Sequence, residues 1–346
     1  MIAQLALVIG DPAGIGGELM AGLLADPGAL GDARVIVVGD RRVLRAGEQV
    51  AGVELDLAVV TSVEAALASN EPIVVLDKAN LDPASIRMGE VSAQGGRSVL
   101  DNLSTALGMA RQRQVAAITF TPFNKQALKL GGNPFNDELD FMMHELGVDV
   151  AVGEFNVMDR LWNARVTSHV PLREVADLIS VERIVSRLEL TDSTMRAAGF
   201  DNPRIAVAAL NPHAGEGGAF GHEDDEVIAP AVEAAKTLGL DVSGPFPSDT
   251  VFLRARSGHF DAVLTMYHDQ GQIAIKLLGF EHGVTLLGGL QVPITTPAHG
   301  TAYDIAGTGK ANPEPTRRAF ALACGLANAQ RTHTVATDTI KRKGTS

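Results

Sequence analysis

Apolar residues in this chain come in short unbroken runs, separated by longer stretches in which they recur every three or four positions. The runs are rich in Val, Ile and Leu and fall at Leu5–Ile9, Val35–Val38, Ile73–Leu76, Ala116–Thr119, Ile205–Ala209 and Ala262–Met266. A strand buried on both faces reads as a continuous apolar run, whereas a half-buried strand alternates. Such runs alternating with helical patterns predict βαβ units and a parallel sheet covered on both faces.

Two breaks rich in glycine and proline interrupt this alternation. Between Leu128 and Glu138 the segment KLGGNPFND places Gly-Gly and Asn-Pro where a helix would otherwise continue. The second break, Leu287 to Pro293, precedes HGTAYDIAGTGKANP and a final predicted helix at Pro315–Ala329. Two crossings predict a first α/β domain of residues 1–130 completed by a C-terminal return at 300–346, and a second α/β domain of residues 131–299. The closing RTHTVATDTIKRKGTS is polar and aperiodic and reads as a loosely ordered tail.

Composition narrows the partners. A length of 346 residues suits two domains, and 41 acidic against 29 basic residues give a net charge of −12. That balance disfavours nucleic acid and anionic membrane surfaces, so an anionic ligand would need a local site. The single cysteine, Cys324, excludes an internal disulfide and a thiolate-rich metal site and suits a reducing cytoplasm. The apolar start MIAQLALVIG has no basic flank and leads straight into GDPAG, so it is expected to be a first strand rather than a signal peptide. No apolar run approaches the roughly 18 residues of a membrane span.

Candidate chemistry follows the strands. Met266–Lys276, MYHDQGQIAIK, brings His268, Asp269, Gln270 and Lys276 directly after an apolar run, where open α/β sheets place ligand chemistry. His213, in the loop NPHAGEGGAFG, and His169 follow strand-like runs in the same way. Each alone reads as a hydrogen-bonded loop histidine. Three together suit a divalent ion, because neutral imidazoles bind Zn²⁺ or a similar metal that polarises a substrate oxygen. Asp249, in GPFPSDT, is either the N-cap of a helix over Val251–Arg256 or a carboxylate facing the site.

Two further loops suit a nucleotide. Gly10–Glu18, GDPAGIGGE, is a glycine-rich turn between a strand and a helix, which either turns the chain tightly or brings backbone N–H groups to an anion. In HGTAYDIAG, the residues His299, Gly300, Thr301, Ala302, Asp304 and Gly307 could hold an adenosine, with the carboxylate on the ribose hydroxyls and hence a preference for NAD over NADP.

These stretches, with TPFNKQAL at 121–128, SHVPL at 168–172 and GPFPSDTVF, together resemble the 4-hydroxythreonine-4-phosphate dehydrogenase family of pyridoxal phosphate biosynthesis over nearly the whole chain. The opening turn and HGTAYDIAG also look like the wider isocitrate and isopropylmalate dehydrogenase group. The resemblance implies two α/β/α domains with a cleft between them, in a cytoplasmic homodimer whose subunits share the active site. It implies NAD-dependent, divalent-metal-dependent oxidation of a small-molecule β-hydroxy acid, followed by loss of carbon dioxide. Carried over by position, His169, His213 and His268 are metal ligands for Zn, Mg, Mn or Co, one of them from the neighbouring subunit. Asp249, Asp269 and Lys276 line the substrate pocket, and either Lys276 or Asp269 moves the proton.

The chain departs from the family where the substrate phosphate is held. It carries Phe135-Asn136-Asp137-Glu138 in place of Gly-His-Thr-Glu, Thr285 in place of an asparagine, and Ile294 in place of an arginine. Arginine matches phosphate geometry best, and isoleucine offers no substitute. The departures point to an altered pocket formed by Asn136, Asp137, Thr285 and Ile294. An alternative substrate is therefore a non-phosphorylated hydroxy acid, a dihydrodiol carboxylate or a four-carbon phospho-sugar acid, as in catabolic relatives.

Overall fold

In the computed structural model, described residues are 3–148, 152–159, 161–279 and 282–343, with side chains as far as Gln330. The chain divides into two compact units, residues 1–149 with 290–346 and residues 150–289. Residues 131–149 pack with the first unit because helix Glu138–Leu146 lies on helix Ala93–Arg111. The Gly-Gly/Asn-Pro break therefore ends one helix and starts another inside that unit.

The first unit contains β1 (Gln4–Val8), β2 (Arg34–Gly39), β3 (Ala58–Val60), β4 (Ile73–Asp77) and β5 (Ala117–Phe120). The second contains β6 (Gly153–Met158), β7 (Leu161–Arg165), β8 (Ile205–Ala208), β9 (Val242–Phe246), β10 (Ala262–Thr265) and β11 (Val284–Gly288), and the chain returns to the first with β12 (Ile294–Pro297).

In the first unit the strand order is β3-β4-β2-β1-β5-β12, every pair parallel. Alternate residues serve opposite faces. Leu5, Leu7, Val35 and Val37 meet Met20, Leu23, Leu44 and Phe320 from helices Gly16–Leu24, Arg41–Ala51 and Glu314–Lys343. The other face is covered by helix Ala93–Arg111, which packs on β1, β2 and β5. With both faces covered, the strands had to read as continuous apolar runs.

In the second unit the order is β11-β6-β7-β10-β8-β9. β7, β10, β8 and β9 are parallel, but β6 is antiparallel to both β7 and β11, so the expectation of an all-parallel sheet is corrected here. Met158 pairs with Leu161, leaving two residues for the turn, and so short a connection can join only antiparallel strands. Asp159 supplies the positive φ, +50°, that such turns need, without the Asn-Gly or Asp-Gly that announces them.

The last helix runs from Glu314 to Lys343, past the expected Ala329 and through most of the segment read as tail. Leu326 to Lys343 contains neither Gly nor Pro, so nothing local stops a helix that Ala319, Phe320, Ala323 and Ala327 have already anchored in the core.

Candidate functional site

β7, β10 and β8 are adjacent and parallel, so the loops after them leave from one edge of the sheet. Those loops carry His169, His268 and His213 in turn. The first two are held together by the backbone. Val166 N–H donates to the Thr265 carbonyl at 2.8 Å, and both the N–H and the hydroxyl of Thr167 donate to the Met266 carbonyl, at 3.1 and 2.8 Å. The imidazole centroids of His169 and His268 are 5.6 Å apart, tilted by 44°.

His268 opens helix His268–Gly279, and its Nδ1 lies 2.7 Å from Asp269 Oδ1. With Nδ1–H donating to that carboxylate, the lone pair is on Nε2, the arrangement that favours a metal or a proton there.

The third loop is fixed by a buried carboxylate. Asp224 is fully buried and accepts from the backbone N–H groups of Leu210 and Asn211 at 2.8 and 3.1 Å and from Asn211 Nδ2 at 3.0 Å. Beyond Pro212 the chain turns through consecutive positive φ values at His213, Ala214 and Gly215, +54°, +55° and +79°. The His213 ring lies beside Phe220, 6.1 Å between centroids. Among the described residues no group of three or more His, Cys, Asp or Glu side chains is close enough to hold a metal ion. The single chain brings the rings of His169 and His268 near each other, and the ring of His213 lies beside Phe220.

Asp249 is not a cap. The helix starts at Ser248 with Pro247 before it, and Asp249 is an exposed residue of the first turn, where its charge suits the helix N-terminus. Lys276 is exposed, two turns along the helix from His268. Thr285 lies half-buried on β11, paired with Asn156 on β6.

The remaining expected residues lie in the first unit. Asn136 is exposed. Asp137 caps helix Glu138–Leu146, its carboxylate accepting from Asp140 N–H at 3.0 Å. Ile294 is fully buried in β12, beside Ile118, so its side chain belongs to the core rather than to a pocket wall. An apolar residue in a central strand of a covered sheet faces one packed layer or the other.

His299 Nδ1 lies 3.0 Å from the Gly300 carbonyl, and burial pushes its imidazolium down from the usual histidine range, so it is neutral at pH 7. Thr301 is buried and its carbonyl accepts from Ile15 N–H at 3.1 Å. Gly14 is required at that approach, since a Cβ there would meet Thr301 Cβ and O at 2.8 Å. Ala302 has φ +44°, while Asp304 and Gly307 are exposed.

Two residues of the opening turn tie this loop down, and neither is evident from local pattern. Asp11 is buried, which raises its carboxyl above the ordinary range against the lowering effects of Tyr303 Oη–H at 2.7 Å and Ala13 N–H at 2.8 Å. Glu18 is also raised by burial, opposed by bonds from the Gly307 and Gly309 N–H groups. Glu18, in the first turn of helix Gly16–Leu24, is thus bound to the loop. Beside it is a cavity of about 290 Å³ lined by Gly14, Glu18, Val43, Ile86, Met88 and Gly307.

Solved structures share this architecture. The 4-hydroxythreonine-4-phosphate dehydrogenase of Klebsiella pneumoniae superposes with a TM-score of 0.83 at 37% identity, covering 94% of this chain and 98% of that one. A terephthalate 1,2-cis-dihydrodiol dehydrogenase of Burkholderia xenovorans LB400 gives 0.65 at 29% identity, covering 94% and 98%. Fold and likeness together define the class, a two-unit α/β dehydrogenase. A protein of Rhizobium meliloti, provisionally named 4-hydroxythreonine-4-phosphate dehydrogenase 2, is 50% identical over 327 residues, 94% of each chain. The D-threonate 4-phosphate dehydrogenase of Pectobacterium atrosepticum is 39% identical over 93% of this chain and 99% of its own. The family described as pyridoxal phosphate biosynthetic protein PdxA matches residues 32–323, and the chain belongs to it.

Proposed function

We propose that the chain is an NAD-dependent, divalent-metal-dependent dehydrogenase of a phosphorylated β-hydroxy acid whose β-keto product loses carbon dioxide. The observation that carries this reading is the placement of three histidines after three adjacent parallel strands, two of them with rings 5.6 Å apart. By chemistry the imidazoles fit a divalent ion, and His169 with His268 would hold it on this chain. The third imidazole, His213, would come from a second copy of the chain, in a homodimer that shares its site.

A divalent ion held there would supply positive charge to the substrate alcohol, and a bound NAD would supply the hydride acceptor. Asp269 keeps His268 in the tautomer with a free Nε2. Lys276 or Asp269 takes the hydroxyl proton, and Asp249 orients the substrate. The neutral His299 and the loop to Gly307 fit an adenosine, with the exposed Asp304 carboxylate on the ribose hydroxyls. Thr285 borders the substrate.

The test is metal content and turnover of purified protein. A stoichiometric divalent ion and loss of NAD reduction in His213→Ala support the reading. A metal-free protein whose His213→Ala form keeps full activity overturns it.

A second reading, a non-phosphorylated hydroxy acid or dihydrodiol carboxylate, is favoured by the likeness to the Burkholderia xenovorans dihydrodiol dehydrogenase. Comparing 4-hydroxythreonine 4-phosphate and D-threonate 4-phosphate with their unphosphorylated forms separates the two. A strong preference for the phosphorylated compounds removes the second reading.

A further inference from the structure

Gln270 is the third residue of helix His268–Gly279, and its side chain reaches three separate elements. Its Oε1 accepts from Met266 N–H at 2.6 Å, and its Nε2 donates to the Ala209 carbonyl at 2.6 Å and to Ser248 Oγ at 2.8 Å. Ser248 Oγ donates in turn to the same Ala209 carbonyl at 2.7 Å. Ala209 ends the β8 run four residues before His213, Met266 ends the β10 run two residues before His268, and Ser248 opens the helix that carries Asp249.

The backbone pairing of β10 with β8 stops at Leu264 and Val207. Past that point Met266 is bonded to the loop after β7 and Ala209 to Phe246 on β9, and this amide ties the two strand ends to each other. Few side chains could make it. The position needs an acceptor and a donor at one end of a long side chain: glutamate has no donor when ionised, and methionine has neither. The bonds are half-buried, where an unmade carbonyl bond is costly.

We infer that Gln270 is a positioning residue, which sets the distance between the His213 loop and the His268 turn and with them the placement of Asp249. The inference rests on His213 and His268 being metal ligands. Gln270 does not touch the ion. It determines where His268 stands for the ion on this chain and where His213 stands for the ion shared with the second copy, as partners behind metal-binding histidines commonly do.

The experiment is a zinc titration of the full-length protein against a competing chromophoric chelator, with steady-state kinetics in parallel. Gln270→Met is expected to weaken zinc binding by about tenfold or more and to lower kcat. KM for NAD should stay within about twofold, since the cofactor loop belongs to the other unit. Gln270→Glu keeps the shape and the Met266 bond but has no donor for Ala209, and should lose affinity in the same direction, which guards against a Met variant that does not fold. Ser248→Ala should lose less than either.

Zinc affinity and kcat equal to the parent in both Gln270 variants overturn the inference. So does a fall in kcat matched by an equal rise in KM for NAD, which would mark general loss of structure. A parent protein that binds no divalent ion refutes the proposed function instead, so the two failures are distinguishable.

Discussion

The phenolic oxygen of Tyr303 lies 2.7 Å from Oδ2 of Asp11, joining the loop after β12 to the first turn after β1. Removing the hydroxyl leaves a buried carboxylate with one donor fewer. Tyr303→Phe should therefore cost about 1–3 kcal/mol at pH 7, measured by denaturant unfolding, and raise KM for NAD more than it lowers kcat.

The acid dependence of that variant has a definite sign. Burial holds the Asp11 carboxyl above its ordinary 3.8, and loss of the Tyr303 bond raises it further. A raised carboxyl favours the folded state below the unfolded value and disfavours it as pH rises through the folded value. The difference between Tyr303→Phe and parent should shrink as pH falls from 7 toward 3, and a constant difference would contradict this assignment.

Arg165 and Glu154 form a 2.7 Å ion pair on neighbouring strands, with the guanidinium almost wholly buried. Glu154→Ala leaves that charge without its partner and should cost about 3–5 kcal/mol, whereas Glu154→Leu with Arg165→Met should be close to neutral. Chemical denaturation of the single and double variants checks both.

Gly271 brings helix His268–Gly279 against the sheet, where a Cβ would meet Asn163 Oδ1 at 2.1 Å. Gly271→Ala should destabilise by about 1–3 kcal/mol, and adding Asn163→Ala should recover part of the loss. Equal melting temperatures for Gly271→Ala and parent would refute the contact.

His299 gives the opposite pH behaviour to Asp11. Its depressed value means that the unfolded chain binds the proton first, near 6.5, so stability is present above that pH and lost as pH falls through the folded value. His299→Gln should remove this part of the slope. The comparison is the melting temperature of the two proteins at pH 7.5 and below 6.

Six of the strands were legible as apolar runs, but β6 and β7 were not. GEFNVM and LWNAR carry Glu154, Asn156, Asn163 and Arg165 on buried strands. Those polar groups are tolerated because Arg165 meets Glu154 and Asn156 meets Gln272, at 2.7 and 2.9 Å, and a hydropathy pattern cannot see the partners. β3, three residues long, is too short to stand out as a run, and the turn at Asp159 carries no Asn-Gly or Asp-Gly.

At the candidate site, the histidines were legible because each follows a strand, and strand ends are where loops can present them. What stayed hidden were the supports. Tyr303 and Asp11 are 292 positions apart, and nothing near either announces the other. Gln270 stood in view within a suggestive stretch, but its role depends on Ala209 and Ser248, which only the fold brings to it.

The first unit is also discontinuous along the chain, since β12 joins β5 from the far side of the whole second unit. During synthesis β5 must therefore wait as an open sheet edge while residues 150–289 are made, and Asp11 and Glu18 lack the loop that later binds them. A ribosome that stalls before residue 294 holds a chain with an unpaired, apolar strand at its border, so the vulnerable period for aggregation comes before the return, and ends when Ile294–Pro297 emerges.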